Sequence, residues 1–171
     1  MTSTPTRLIW CHGSLSEPWG AKSTAFAETA KSMGYTLEAP DFSDLENPDD
    51  RVQRLADILS DAKGPTVLLG SSMGGYVATA VAKQVQVDGL FLLAPAFYLK
   101  GYDVHVFSGL PESITVIHGW QDDVVPVDNS IRFAKLHRAA LHALPDDHRL
   151  SASIDTMTSL LAHYLQSFPA P

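Results

Sequence analysis

Short apolar runs recur along this chain, and each is followed by a longer stretch in which apolar residues return every three or four positions. Uninterrupted apolar runs of about four to eight residues are typical of strands that are covered on both faces of a sheet. The runs and their flanking turn residues predict six strands, at residues 8–11, 35–39, 65–69, 88–93, 114–117 and 139–144.

The stretches between the strands have helical spacing. In residues 49–62, the side chains of Val52, Leu55, Ala56 and Leu59 share one face, and the acidic first turn suits the helix dipole. The same pattern predicts further helices at residues 21–33, 75–82, 129–136 and 153–168.

Alternating strands and helices predict an α/β fold, in which right-handed β–α–β units form a parallel sheet with helices on both faces. A chain of 171 residues fits one domain. We therefore expect residues 1–171 to form a single domain, with flexible ends at residues 1–6 and 169–171. Reactive groups in such sheets collect at the carboxyl ends of the strands, so candidate catalytic residues should directly follow strands.

The charge and the cysteine content of the chain exclude several classes of protein. The net charge is −7 and there is no basic stretch, which argues against binding nucleic acid or an anionic membrane. No segment approaches the roughly 18 apolar residues of a membrane span, and the polar N-terminal residues lack a signal core. The single cysteine, Cys11, excludes an internal disulfide. We expect a soluble cytoplasmic protein whose oligomeric state the sequence leaves open.

Residues 70–74, Gly-Ser-Ser-Met-Gly, join the third predicted strand to the next helix. A serine flanked by glycines at this junction is the nucleophile elbow of α/β-hydrolases, and it makes Ser72 the candidate nucleophile. The glycines let the strand and the helix approach each other, and the sharp turn lifts the hydroxyl clear of the sheet. The helix that follows directs its positive end at the hydroxyl, where negative charge would develop.

A serine hydroxyl needs a histidine base, and the base needs a carboxylate that orients it. The stretch from His118 to Pro126 resembles the acid loop of α/β-hydrolases, and Asp122 matches the acid, with Asp123 as the alternative. The order Ser, Asp, His in these enzymes implies a base after the last strand. His148 lies there, and His142, inside the last predicted strand, is the second choice.

Two backbone amides would bind the oxyanion that serine attack creates. One is the amide of Met73, directly after the nucleophile. The loop His12-Gly13-Ser14 resembles the oxyanion loop of the same superfamily, which implies the amide of Ser14 as the second donor, with Leu15 as the alternative.

These four elements together span nearly the whole chain and resemble the α/β-hydrolase superfamily, in particular its small, cap-less bacterial serine esterases. The resemblance implies a three-layer sandwich around a trimmed parallel sheet of about six strands, because the chain begins at what would be the third strand of full-size members. The short connection from Ala94 to Pro111 leaves no room for a cap domain. The aromatic residues of this connection either line an acyl pocket or pack on the core. The candidate substrate-binding residues are Leu15, Trp19, Phe97, Tyr98 and Val125.

The resulting hypothesis is a serine hydrolase that cleaves small-molecule carboxylic esters through an acyl-enzyme on Ser72, with thioesters as a second substrate class that the same chemistry allows. It implies no organic cofactor and no metal, since no Cys/His cluster has zinc-ligand spacing. The alternative is a binding or interaction protein that keeps the hydrolase fold without its activity.

Overall fold

A computed structural model describes residues 4–169 and 171. Its six strands are β1 (Arg7–Cys11), β2 (Leu37–Glu38), β3 (Thr66–Ser71), β4 (Gly89–Leu93), β5 (Ser113–Gly119) and β6 (Ala140–Leu144). They form one sheet in the order β2-β1-β3-β4-β5-β6, and every neighbouring pair is parallel. The predicted α/β class and the six-stranded parallel sheet are confirmed.

Five α-helices cover the sheet: α1 (Ala21–Ser32), α2 (Pro48–Leu59), α3 (Met73–Ala80), α4 (Val127–His137) and α5 (Ile154–Leu165). Single 3₁₀ turns at Val81–Lys83 and Ser151–Ser153 extend α3 and precede α5. The start of α2 illustrates the local chemistry, because Pro48 stands at its first turn and the Asn47 side chain accepts a hydrogen bond from the Asp49 amide at 2.8 Å.

The sheet separates two apolar cores. Residues of α2, α3 and α4, such as Leu55, Tyr76 and Phe133, pack on one face. Residues of α1 and α5, such as Phe26 and Leu161, pack on the other. Covered faces explain why β3 and β4 are buried along their whole length and why their sequences are continuous apolar runs.

The second strand is shorter than the predicted span of residues 35–39. Only Leu37 and Glu38 pair with β1, because β2 is the edge of the sheet and has a single neighbour. Tyr35 instead buries its ring, and its hydroxyl lies 3.2 Å from the carbonyl oxygen of Pro169.

The prediction of flexible ends falls partly outside the described residues, since residues 1–3 and 170 are not among them. Thr6 is buried, and its hydroxyl donates a hydrogen bond to the Pro169 carbonyl oxygen at 3.2 Å. The division into a single domain with flexible ends stays a prediction.

Gly74 allows α3 to approach the end of β1. A Cβ atom at this position would meet the carbonyl oxygen of Cys11 and would lie 2.7 Å from that of His12. Both obstacles are backbone atoms, which cannot rotate away as a side chain can. Only glycine at position 74 therefore allows α3 to pack this close to the end of β1.

We expect Gly74→Ala to lower the free energy of unfolding by about 3 kcal/mol, because the added methyl group overpacks a backbone contact. Gly20→Ala is the matched control, since a Cβ there would meet nothing within 4 Å. As Gly20 is the N-cap of α1, its replacement should cost about 1 kcal/mol or less. Urea denaturation of both variants measures the difference, and equal losses would contradict the steric explanation.

Candidate active site

Ser72 lies between the last residue of β3 and the first of α3, with φ 53° and ψ −117°. This is a strained conformation for a residue with a side chain. Hydrogen bonds from both sides hold it: the Ser72 amide donates to the Leu93 carbonyl oxygen at 2.9 Å, and its own carbonyl oxygen accepts from the amides of Gly75 and Ala96, each at 3.0 Å. The sharp turn predicted from the glycine pattern is therefore present at this residue.

Three side chains from separate loops form a continuous hydrogen-bonded chain. The Ser72 hydroxyl lies 3.0 Å from Nε2 of His148, and Nδ1 of His148 lies 2.7 Å from Oδ2 of Asp122. Asp122 follows β5 and His148 follows β6, so the parallel sheet brings all three to its carboxyl edge. With Nδ1–H donating to the carboxylate, Nε2 is free to accept the serine proton.

The carboxylate of Asp122 is fully buried and surrounded by donors. Its Oδ1 accepts from the amides of Val124 and Val125 at 2.9 and 2.8 Å. Its Oδ2 faces His148 and also Nε2 of His118, 3.0 Å away. Such donors compensate the loss of water around a buried charge. Asp123, the alternative acid, is exposed and belongs to no part of this network.

His118 is a site residue that the sequence reasoning passed over. It is fully buried, with Nδ1 2.7 Å from the Ser130 hydroxyl and Nε2 2.9 Å from the Val125 carbonyl oxygen. Nε2 faces two acceptors, so it carries the proton, and Nδ1 accepts from Ser130. Burial lowers the pKa of His118, which keeps the ring neutral. The pattern that could have revealed it is the spacing of four residues between His118 and Asp122 across the tight loop after β5.

The two predicted oxyanion donors lie on either side of Ser72. Met73 is the first residue of α3, so its N–H group precedes the helix's own hydrogen bonds and is available to a ligand. Ser14 lies in the loop after β1. That loop is close to Ser72, because a Cβ atom at Gly13 would lie 3.7 Å from the Cβ of Ser72. Leu15, the alternative donor, has φ 55° and a fully exposed side chain.

A cleft of about 770 Å³ opens beside these groups. Ser72 and His148 are part of its wall, Leu15 and Val124 contribute apolar surface, and Lys22 contributes positive charge. The remaining lining residues are Trp10, His12, Gly13, Ser14, Ser16, Glu17, Gly20, Ala21, Ser23, Ser71, Arg149, Ser151 and Ile154. A second hollow, around Gly64, Thr66 and Asp88, lies at the opposite end of β3, and its lining includes none of Ser72, Asp122 and His148.

A family model for alpha/beta hydrolases matches residues 8–170, which is nearly the whole chain. The protein belongs to the α/β-hydrolase family. The resemblance found in the sequence is thereby confirmed.

Two solved structures superpose closely on this one. A protein of the alpha/beta hydrolase superfamily from Xanthomonas campestris pv. campestris is 35% identical, with a TM-score of 0.87 over 96% of this chain and 100% of its own. The Pyrococcus furiosus esterase Pf2001 is 18% identical, with a TM-score of 0.83 over 97% of this chain and 84% of its own, and this likeness concerns the fold alone.

Among curated relatives, the mitochondrial palmitoyl-protein thioesterase ABHD10 of Bos taurus is 24% identical over 184 aligned positions. The match covers 74% of this chain and 60% of the bovine protein. This α/β-hydrolase therefore spans about 60% of the length of the relative that it matches.

Of the five predicted substrate-binding residues of this hydrolase, only Leu15 lines the cleft. Phe97 and Val125 are fully buried in the core, and Phe97 stacks on Phe133 with ring centroids 4.3 Å apart. Tyr98 lies under the guanidinium group of Arg132, and Trp19 is half exposed outside the cleft lining. Phe97 and Phe107 thus pack in the core against Phe133 of α4, and no aromatic residue between β4 and β5 lines the cleft.

The connection between β4 and β5 forms no cap over the cleft. Residues 94–112 are all described, and they contain turns and bends without a helix. Ala96, Phe97 and Phe107 are buried in the core, whereas Val106 is exposed. No residue of this connection lines the cleft beside Ser72.

Within residues 4–169 and 171, no three His, Cys, Asp or Glu side chains are grouped so as to hold a metal ion. In the same part of the chain, none of the helices has the length and the apolar character to cross a bilayer.

His12 is the second buried histidine of the site. Its Nε2 accepts a hydrogen bond from the Phe42 amide at 2.9 Å, so the proton is on Nδ1, which lies 3.0 Å from the Gly13 carbonyl oxygen. Burial lowers its pKa, and the nearby charge of Arg51 acts in the same direction. His12 and His118 are both neutral in the folded protein.

We expect the free energy of unfolding to fall as the pH is lowered below about 6.5, the ordinary pKa of histidine. The unfolded chain then binds protons that the buried rings of His12 and His118 do not, so acid favours unfolding. Each ring should contribute up to about 1.4 kcal/mol per pH unit.

Urea denaturation between pH 8 and pH 5 tests this pH dependence. The carboxylates with lowered pKa values bind protons only below that range, so they do not contribute to the slope. His12→Asn and His118→Asn should each have a smaller pH slope than the wild type. A slope that neither variant changes would mean that other groups produce it.

Proposed function

We propose that this α/β-hydrolase is an active serine hydrolase that cleaves carboxylic esters, including thioesters, through an acyl-enzyme on Ser72. The observation that carries the proposal is the chain of contacts from Ser72 to His148 at 3.0 Å and from His148 to Asp122 at 2.7 Å. A hydroxyl within reach of a base that is itself oriented by a buried carboxylate is the arrangement that activates serine. The opening of the cleft beside Ser72 supports access for a substrate.

In the acylation step, Ser72 Oγ attacks the carbonyl carbon of the ester while its proton moves to Nε2 of His148. The electron pair of the carbonyl double bond moves to oxygen, and the amides of Met73 and Ser14 are positioned to donate to this oxyanion. Collapse of the tetrahedral intermediate breaks the bond to the leaving alcohol or thiol, which takes the proton from His148. Asp122 stabilises the imidazolium ion throughout by accepting from Nδ1.

In the deacylation step, water takes the place of the leaving group. His148 removes a proton from the water as its oxygen attacks the acyl carbon, and the same proton returns to Ser72 Oγ as the acid departs. An added alcohol can replace water and yield a new ester, so product analysis in the presence of alcohol separates hydrolysis from acyl transfer. None of these steps calls for a metal or an organic cofactor.

Small-molecule esters are the proposed substrates, since the net charge of −7 disfavours nucleic acid and anionic membranes as partners. The name of the curated relative, a palmitoyl-protein thioesterase, supports an acyl substrate. Because oxygen and sulfur esters share this chemistry, both belong in the first substrate panel. We propose a cytoplasmic location on the basis of the free thiol of Cys11, although the named bovine relative is mitochondrial.

A fluorophosphonate probe should form one covalent adduct with the wild-type protein, located on Ser72 by intact mass and peptide mapping. His148→Ala should prevent the adduct at matched times, because the hydroxyl loses its base. Ser72→Ala tests whether the adduct forms on Ser72. His163→Ala, on the last helix, tests whether removing a histidine outside the site affects labelling. Wild-type protein that stays unlabelled while folded would favour the alternative of a catalytically silent binding protein.

Asp122→Asn should lower kcat about 10³- to 10⁴-fold with little loss of stability. The amide oxygen of asparagine can still accept from the amides of Val124 and Val125, whereas its NH₂ group cannot accept from His148. Asp123→Asn is the matched control and should keep nearly full activity, since that side chain is exposed. Steady-state kinetics on the best ester of the panel measures both, and the reverse pattern would assign the acid role to Asp123.

A further inference from the structure

Arg51 is a buried arginine in the second turn of α2 and is only 2% exposed. A buried cation is normally paired with a carboxylate. The salt bridges found among residues 4–169 and 171 include Arg7 with Glu38 and Arg54 with Asp44, but none with Arg51. A charge held in the interior without an ion-pair partner calls for an explanation.

The guanidinium group of Arg51 donates to backbone carbonyl oxygens. Nε lies 2.8 Å from the Leu45 oxygen, and Nη1 lies 3.2 Å from the oxygens of both His12 and Gly13. Two of these three acceptors belong to the loop after β1, which carries the proposed oxyanion donor. Arg51 thus ties α2 to this loop.

The carbonyl oxygen of Gly13 receives two further donors. The Ser16 hydroxyl lies at 2.9 Å and Nδ1–H of His12 at 3.0 Å, in addition to Nη1 of Arg51 at 3.2 Å. A carbonyl oxygen has two lone pairs, so three donors are more than it ordinarily receives. This crowding fixes the direction in which the Gly13 carbonyl group points.

The amide of Ser14 belongs to the same peptide group as this carbonyl. Because the peptide is planar and trans, its N–H points opposite to its C=O. Because the oxygen of Gly13 is held toward Arg51, the N–H group of Ser14 points away from Arg51. Ser14 and Ser72 line the same cleft, and Gly13 lies beside Ser72.

We propose that Arg51 is a positioning residue for the oxyanion hole, whose guanidinium group holds the Gly13–Ser14 peptide with its N–H toward the cleft and polarises it. This inference rests on the proposed function, in which Ser14 donates to the oxyanion. Arg51 itself touches no reacting atom.

The positive charge of Arg51 also makes the N–H group of Ser14 a stronger hydrogen-bond donor. Hydrogen bonds to a carbonyl oxygen draw electrons from the peptide nitrogen, and a buried charge is only weakly screened by solvent. The same charge helps to keep His12 neutral, so that Nε2 can accept from the Phe42 amide while Nδ1–H donates to the Gly13 oxygen. Arg51 therefore supports the loop both directly and through His12.

The experiment compares Arg51→Met, Arg51→Lys and the control Arg54→Met. Arg54 lies three residues further along α2 and forms an ion pair with Asp44 at the surface, away from the loop. Amide proton and nitrogen NMR shifts of Ser14 are recorded for each protein, together with kcat and KM for the best ester. Thermal unfolding verifies that each variant is folded, and Arg51→Lys serves alone if Arg51→Met does not fold.

The Ser14 amide proton should move upfield in Arg51→Met and stay in place in Arg54→Met. The kcat of Arg51→Met should fall about 10- to 100-fold with KM within about twofold, because the lost stabilisation belongs to the transition state. Arg51→Lys keeps the charge without the planar fork and should recover part of the loss.

A Ser14 amide shift that Arg51→Met leaves unchanged would overturn the proposal, and so would equal losses of activity in Arg51→Met and Arg54→Met. If the wild-type protein hydrolyses no ester, the proposed function fails. The NMR comparison then still decides separately whether Arg51 orients and polarises the Ser14 amide.

Discussion

The geometry of the site depends on how closely the first turn of α3 packs against the carboxyl end of β1. Gly74 meets the backbone of Cys11 and His12 where no side chain would fit, and this contact brings Ser72 beside the loop at Gly13. On the other side, hydrogen bonds to Leu93 and Ala96 hold the strained turn. Ser72 is thus held between β1 and β4, the two neighbours of β3 in the sheet, and its conformation follows from the strand order.

Around this turn, the polar interior is organised by neutral histidines and backbone groups. His118 and His12 each donate from one ring nitrogen and accept at the other, which suits an uncharged ring. The buried charges of Asp122 and Arg51 are instead surrounded by donors and by carbonyl oxygens respectively. In the described residues, no buried side-chain nitrogen or oxygen lacks a hydrogen-bond partner. This full pairing gives each group one favoured orientation.

Much of the fold could be predicted from the sequence because strand and helix periods differ, and because buried parallel strands are uninterrupted apolar runs. The meeting of Ser72, Asp122 and His148 was predicted from the resemblance to α/β-hydrolases, which implied the acid loop and the order of the three residues, together with the rule that reactive groups follow the strands of a parallel sheet. Phe97 was predicted to bind substrate but lies in the core. The loop after β4 has no regular spacing of apolar residues, so its sequence does not indicate which side chains face inward. Arg51 was missed because its partners are backbone oxygens, and such contacts leave no pattern in the sequence.

The all-parallel sheet has a consequence for how the protein reaches its native state. None of its neighbouring strands can be joined by a tight hairpin, so each pairing closes a long loop, and such topologies fold slowly. The register of β3 needs both β1 and β4, with Cys11 beside Gly70 and Leu93 beside Ser71. The turn at Ser72 therefore acquires its shape only after two distant pairings have formed. In a refolding experiment, helical content would return before this turn takes its native conformation.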